Sequence, residues 1–578
     1  MRLSRVRIGA LTSLTGALVS RQWRTPTHHS SQCEMDEDCG VHFEQGQVLT
    51  NWSSTHTSHP RRVYEPKSAQ EVVRVLQLHH RDSGKVRPVG TALSPNGIGL
   101  CGASPNSNLV SLAHIDFVEV NPQARTVTVG AGARVSAVLA ELAKHGLTLA
   151  NFSSIQEQQI GGWTQVSAHG TGITLPPVDE MILRLQLATP TEGLLTLSRA
   201  ANQGDDWLFR FAKVGLGSLG VVTELTLSAI PKFNLEEETF CLTRDSVGRD
   251  HVERLQKYRH VRYMWIPYTD TVVVVVSNAT TKAVHDTVRG SGAAAGEKPT
   301  QAMCALLQAK AQLTPSSTQP SSSSSSSISK KSASVDYSSW SFSQLRDALL
   351  DHSPLDIGHI KAVNAAEAAY WRSSSGTRVD DSTNILGFDC GGEQLVYEVC
   401  VGMGPLGGGA GAAAGPTASV ADSYDIALVK SMLSALEAAN IPAPSPIEQR
   451  WTASSSAPMS PAYSPSRADV FTWVGVIMYL PQTQTQEQRA AIASKFGQYC
   501  AALQPVLDRH GAKVHWAKIE PTYSPGSPGD EGDRTAMRAR LARSYKLEEF
   551  NSLRDALDPR RVLSNSLIDG LLDQEGQQ

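Results

Sequence analysis

RPVGTALSPNGIGL, residues 87–100, sets three glycines (Gly90, Gly97, Gly99) and two prolines (Pro88, Pro95) within fourteen positions, on a basic, strand-like lead-in, GKVR. Glycine opens the φ > 0 region and proline fixes φ near −65°, so such a loop has a set shape and few side chains on its inner surface. Backbone N–H groups can then converge on an anion, as in a phosphate nest.

The chain repeats the device twice before residue 221. NFSSIQEQQIGGWTQVSAHGTG (151–172) carries Gly161–Gly162 and Gly170–Gly172, with Ser153, Ser154, His169 and Thr171 as short polar groups; GLGSLG (215–220) opens a strand at Val221–Leu227. Gly97/Gly99/Gly102 and Gly215/Gly217/Gly220 both spell G-x-G-x-x-G. A dinucleotide turn needs a strand before, a helix after and an acidic residue about 20 positions on. The first match runs into the loop ASPNSN, and the second follows a helical stretch (206–214) and opens a strand. Neither is a Rossmann turn.

At 578 residues the chain exceeds one hydrophobic core, and two or three domains are expected. Composition, 40% hydrophobic and 19% charged, is that of a soluble globular protein, and the net charge of −3 argues against a nucleic-acid surface. The eight cysteines form no C-x-x-C pair, so no zinc site and no disulfide framework is indicated, and no metal is expected. Residues 1–33 hold five arginines, many Ser and Thr, and no acidic residue before Glu34, the composition of a mitochondrial transit peptide.

Ser68 and Glu71 stand at a capping-box spacing, with Val72, Val73 and Leu76 behind them at helical intervals. Strands follow at 109–112 and 126–129, then a helix from AGARV (131–135) to Lys144 and a strand at 147–150, α+β rather than regular βαβ. Beyond Lys232 a second domain begins. Within it the serine-rich stretch 290–334 and the Gly/Ala tract 402–420 read as flexible insertions. Residues 426–440 form an amphipathic helix, 448–452 a strand, 471–480 a buried strand, and KVHWAKIE (513–520) a further strand. Alternation puts Glu448 and Arg450 on one face. The domains expected are a leader and linker (1–46), a first domain (47–235), a second (236–505) and a carboxyl segment completing the site (506–578).

VGTALSPNGIGL (89–100), NFSSIQEQQIGG (151–162), AHGTG (168–172), GLGSLGVV (215–222), ILGFDCGG (385–392), EQRWTA (448–453), HWAK (515–518) and LDPRRVLSN (557–565) resemble, in order, the aldonolactone oxidoreductases of the vanillyl-alcohol oxidase flavoprotein family, most closely their plant-type galactonolactone dehydrogenase branch. The resemblance implies an FAD-binding domain of two α+β subdomains and a cap domain with an antiparallel sheet flanked by helices. It implies FAD contacts from Val89, Gly90, Thr91, Ala92, Leu93, Ser94, Asn96 and Gly97, then Ser153, Ser154, Gly161 and Gly162. Further contacts are implied from His169, Gly170, Thr171 and Gly172, from Gly220 and Val222, and from Lys518 at the flavin N1–C2 edge. Relatives often carry a flavin-linked histidine where this chain has Leu93, so the FAD is expected to be noncovalent.

The reaction implied is oxidation of a 1,4-lactone at C2, with hydride passing to the flavin and the product tautomerising to ascorbate. Arg450 is expected beside the C2 oxygen, and Glu448 is expected to bind lactone hydroxyls, hold Arg450 and receive the hydroxyl proton. Ser154 is expected on a substrate hydroxyl. Ser153, where glycine would open a path for oxygen, points to cytochrome c as acceptor. The resemblance also implies mitochondrial inner-membrane or intermembrane-space placement, peripheral membrane association and contact with respiratory complex I assembly intermediates. An oxygen-using gulono- or arabinonolactone oxidase and a purely structural assembly factor are the competing readings.

Overall fold

The computed structural model describes residues 23–24, 33–102, 104–199, 207–289, 298–313, 336–387, 391–406, 423–518 and 531–573. The leader at 1–22, the serine run 321–327 and the tail from Gln574 lie outside them.

Strands β1 (Cys33–Met35), β2 (His42–Glu44), β3 (Val63–Tyr64), β4 (Lys85–Val89) and β5 (Ser107–Ser111) form a sheet in the order β1-β2-β3-β5-β4, with β5 parallel to both neighbours. Residues 33–44, assigned to leader and linker by the sequence, are thus part of this sheet. Buried Val41 and Phe43 explain why they join it. The helix Ala69–Arg81 starts where the capping signal put it: Ser68 Oγ accepts the Glu71 N–H at 3.2 Å, and Val72, Val75 and Leu76 are fully buried. A second sheet contains β6 (Val118–Asn121), β7 (Thr126–Gly130), β8 (Ile182–Thr189), β9 (Gly193–Ser198) and β10 (Val221–Ser228). It is antiparallel, in the order β9-β8-β10-β7-β6.

The third sheet holds β11 (Asn234–Leu242), β12 (His260–Trp265), β13 (Val272–Thr280), β14 (His285–Arg289), β15 (Gly376–Asp381), β16 (Gln394–Pro405), β17 (Ile447–Ala453), β18 (Asp469–Tyr479) and β19 (Lys513–Val514). All its pairs are antiparallel, and the order is β14-β15-β11-β13-β12-β17-β18-β16-β19. One face, with Tyr263, Trp265, Trp451, Val474 and Val476, packs on the helices Tyr424–Ala438 and Gln486–Arg509. The opposite face meets the helix Ile357–Ser373 at one end, through Ala368 against Met264 and Val273. No helix among the described residues is long and apolar enough to cross a membrane.

Three sequence expectations are corrected here. Part of the presumed flexible stretch 290–334 is a helix, Gln301–Leu313, because Met303 and Leu307, one turn apart, bury against Leu345, Leu349 and Val363. Gly402–Pro405, the start of the Gly/Ala tract, continues β16 and pairs with Asp469–Phe471. HWAK is not a strand: β19 stops at Val514, and a turn closed by Lys518 N–H to His515 O (2.9 Å) follows.

The carboxyl segment packs back into the core of the first two sheets through Phe550, Val562, Leu563 and Ile568. Asn565 Nδ2 donates to Gly97 O (3.1 Å) and Leu100 O (2.7 Å), tying that segment to the first glycine loop.

Candidate active site

The first and third glycine loops converge on Arg87, which is fully buried. Its guanidinium donates to Ile98 O (2.7 Å) in the first loop, to Leu216 O (2.9 Å) and Gly217 O (2.8 Å) in the third, and to Leu563 O (2.5 Å). Burial, with Arg554 adding to it, pushes this guanidinium down to about 9, still charged at neutral pH. A single residue therefore fixes two loops, one of them reached 130 positions further along the chain. Around them lies a cavity open to solvent, about 990 Å³ with that solvent included, bordered by residues 89–94, Asn96, Gly99, Gly161, Gly162, Gly217, Gly220 and Val222. A Cβ on Gly162 would meet nothing within 4 Å, so it would stand in the cavity itself. Such a backbone-lined cradle, lacking carboxylates at its wall, fits a dinucleotide pyrophosphate.

A second cavity, of about 1630 Å³, shares Leu93, Ser94, Gln158 and Val166 with the first. Its floor is one face of the third sheet, read at every second residue: Arg262 and Met264 from β12, Glu448 and Arg450 from β17, Gly475, Ile477 and Tyr479 from β18, Gln394, Val396 and Glu398 from β16. Strand register puts Glu448 opposite Gly475 and Gly475 opposite Glu398. Because Gly475 has no side chain, Arg450 can reach across β18: its Nη2 donates to Glu398 Oε1 at 2.6 Å, and its Nε lies 3.3 Å from Glu448 Oε2. Lys518 Nζ stands 3.7 Å from Glu398 Oε2, and Arg262 Nη1 stands 3.6 Å from Glu448 Oε1.

Comparison with known proteins agrees with this layout. A family model for an FAD binding domain matches residues 60–198, and one for D-arabinono-1,4-lactone oxidase matches 225–348 and 421–571. The chain is 40% identical over 526 residues to L-galactono-1,4-lactone dehydrogenase 2, mitochondrial, of Oryza sativa subsp. japonica, covering 91% of this chain and 83% of that one. It is likewise 40% identical to the mitochondrial L-galactono-1,4-lactone dehydrogenase of Arabidopsis thaliana, over 91% of this chain and 81% of that one.

The chain belongs to the L-galactono-1,4-lactone dehydrogenase family.

More distantly, it is 30% identical to L-gulonolactone oxidase of Bos taurus over 42% of this chain and 54% of that one. The fold is that of cholesterol oxidase from B. sterolicum, with a TM-score of 0.66 at 16% identity, covering 94% of this chain and 100% of that one. The cofactor is FAD. When bound, it supplies the two-electron oxidant that no side chain can provide.

In this family member the electrostatics centre on Glu398, which is fully enclosed by its neighbours. Burial alone would raise its carboxyl; a proton on His169, with Arg450 and Lys518 beside it, outweighs that and holds it well below the ordinary carboxylate range. Burial, with the Lys518 charge next, pushes His515 well below the ordinary imidazole range. His515 is therefore a neutral ring whose Nδ1 accepts the Ala517 N–H at 3.1 Å. His169 lies flat on Trp473, ring centroids 3.8 Å apart. His169, His515 and Glu398 are close enough to bracket a cation. Arg450 and Lys518 already neutralise the carboxylate, so a dication there would face two positive charges.

The structure separates the expected site residues into groups. Val89, Gly90, Thr91, Ala92, Leu93, Ser94, Asn96, Gly161, Gly162, Gly220 and Val222 border the glycine-lined cavity. Ser153, Ser154, His169, Glu448, Arg450 and Lys518 border the charged one. Gly170 and Thr171 border a smaller adjoining cavity that also reaches Ser154 and Arg450. Gly97 and Gly172 border none of these. Gly97 is held by Asn565, and Gly172 N–H donates to Trp451 O at 2.6 Å, docking the first domain onto β17. Ser153 Oγ is committed, donating to Gln158 Oε1 (2.5 Å) and accepting from Trp163 Nε1 (2.9 Å).

Sequence reading missed Glu398 and Arg87. The signal for Glu398 was present: one carboxylate inside the largely apolar run LVYEVC, a placement that demands a partner.

Proposed function

We propose that this protein oxidises L-galactono-1,4-lactone at C2 in mitochondria, as an FAD-dependent aldonolactone dehydrogenase, passing the electrons to cytochrome c. The observation that carries the reading is the adjacency of the two cavities, which share Leu93, Ser94, Gln158 and Val166 in their walls and so set the charged sheet face beside the flavin cradle. The names of relatives at about 40% identity support the substrate and the compartment.

In this reading Arg450 addresses the C2 oxygen. Its guanidinium is held from two sides, by Glu398 and Glu448, so it meets developing negative charge already oriented. Glu448, with Arg262 behind it, accepts hydrogen bonds from lactone hydroxyls, and Ser154 adds a contact at the cavity edge. Lys518 stands on the turn pinned by Asn96, whose Nδ2 donates to Lys518 O at 2.7 Å, and adds positive charge beside the flavin ring. Leu93 offers no atom for a covalent flavin bond, so the cofactor is held noncovalently. Ser153, with its hydroxyl tied to Gln158 and Trp163, fills the place where glycine would admit oxygen; this favours cytochrome c over the oxidase reading. The enzyme is placed at the inner membrane facing the intermembrane space as a peripheral protein, where complex I assembly intermediates are further partners.

Anaerobic reduction by L-galactono- and L-gulono-1,4-lactone, followed by stopped-flow reoxidation with cytochrome c and with oxygen, tests this. Rapid reoxidation by cytochrome c and slow reoxidation by oxygen are expected. The reverse order would make the protein an oxidase.

A further inference from the structure

We infer that Glu398 and His169 form the proton acceptor of the site: the hydroxyl proton of the substrate passes to the Glu398 carboxylate and comes to rest on His169 Nε2. This rests on the lactone-oxidising reading above and deepens it, because oxidation of a hydroxyl needs a destination for its proton.

The geometry starts with the ring. His169 Nδ1 lies 3.0 Å from Gly170 O, and a carbonyl can only accept, so this nitrogen carries the hydrogen. In the neutral ring Nε2 is then a lone pair. It lies 3.2 Å from Glu398 Oε1 with no hydrogen between them, and it has no hydrogen-bond partner among the described residues. Two acceptors face each other there, and a proton between them turns repulsion into a charge-assisted bond. Stacking on Trp473 holds the ring in this pose. Burial, reinforced by the Arg450 charge, pushes His169 below its ordinary value and so keeps it empty at rest.

Glu398 connects this ring to the substrate space. It borders the charged cavity, and the same Oε1 that faces His169 accepts from Arg450. Arg450 and Lys518 make the carboxylate a poor final holder of a proton, which favours transfer onward to His169. The groups around the pair are Arg450 from β17, His515 and Lys518 from the carboxyl turn and Cys400 on β16 itself, with Glu448 and then Arg262 behind Arg450 and Lys513 beside Cys400. Of these, Glu448 is the competing acceptor; its carboxylate is engaged by Arg450 and Arg262. In the oxidation the C2–H bond breaks and its hydrogen leaves with both electrons to the flavin oxidant. The O–H bond on C2 breaks, the C2=O bond forms, and the hydroxyl proton becomes the second proton of the His169 ring.

The pH dependence of kcat/KM for the FAD-loaded enzyme tests this. A base must be unprotonated to act, so wild type loses activity as pH falls through the value of the pair. His169→Gln and Glu398→Gln should both lose that acid limb and lower kcat about 100-fold with KM little changed; Glu448→Gln should keep the limb. Glu398→Asp, which retains the charge, should keep the limb at reduced kcat and guards against a folding artefact, with flavin absorbance and thermal melting as controls. An unaltered limb in both dyad variants, or its loss in Glu448→Gln alone, overturns the proposal.

Independently of turnover, the histidine resonance missing from His169→Gln should titrate in wild type and move to lower pH in Glu398→Gln. A resonance indifferent to Glu398 also overturns the dyad. Absence of lactone oxidation in wild type would instead refute the function proposed above, leaving the resonance to decide the dyad.

Discussion

The two cavities are built by opposite means. The glycine-lined one is made of backbone: its walls are loops whose shape comes from missing Cβ atoms, and its one fixed charge, Arg87, is spent on the carbonyls of those loops. The other is made of side chains standing on four neighbouring strands, with positive and negative groups in contact across the floor. Binding a cofactor by backbone tolerates changes in the surrounding side chains. Steering a reaction by charge depends on each residue in the row.

The largest effect expected from this contrast is at Arg450. Arg450→Ala should cost about 3–4 kcal/mol in kcat/KM, by analogy with loss of a preorganised donor, while flavin content stays unchanged. A loss below about tenfold would remove Arg450 from the chemistry and break the contrast.

The far face of the same strand gives the next largest effect. There Asp425 accepts from Trp451 Nε1 (2.7 Å) and Ser423 Oγ (2.5 Å) and lies 2.8 Å from His251 Nε2. Burial raises the Asp425 carboxyl, but His251, Ser423 and Trp451 outweigh it and bring it down to about 2. A depressed carboxyl contributes stability that is fully present above its unfolded value and is lost as pH falls through the folded one. About 2 kcal/mol should therefore disappear between roughly pH 4 and pH 2. Chemical denaturation across that window should show the slope in wild type and its loss in Asp425→Asn.

Gly162→Leu sharpens the comparison from the cradle side. With nothing within 4 Å of the added Cβ, the apoprotein should keep its fold with an unchanged melting midpoint. The side chain would occupy flavin space, and FAD affinity should fall at least tenfold, about 1.4 kcal/mol. Apoprotein titration with FAD measures it. The smallest intervention is acid precipitation, which should release the yellow chromophore into the supernatant because Leu93 cannot bond to it. Colour kept in the pellet would mean a covalent link elsewhere.

How much of this was legible in advance follows from sequence distance. Loop chemistry is local: Gly90, Gly161, Gly162 and Gly220 are readable because glycine spacing is itself the signal. The helix at Ala69–Arg81 was readable from Ser68 and Glu71, and the shared face of Glu448 and Arg450 from strand alternation. HWAK misled, because four residues cannot distinguish a short strand from the turn that Asn96 fastens.

The serine-rich stretch misled for a related reason. Composition averages over a window, whereas Met303 and Leu307 bury as two specific residues.

The sequence alone determined the backbone-built half: three glycine loops that are not Rossmann turns, and a family likeness carried on those loops and on motifs further along the chain. In the charged half the sequence named Glu448, Arg450, Lys518 and Ser154, and only the tertiary structure added Glu398 and decided which of them touch. Glu398 and Arg450 are 52 positions apart, and they meet because β16, β18 and β17 lie side by side in a register that puts Gly475 between Glu398 and Glu448, leaving room for the Arg450 side chain to cross β18. Local propensities specify where a strand starts and which residues share its face. Which strands are neighbours, and in what register, is set by burial over the whole sheet, and that energy is not written in any one segment.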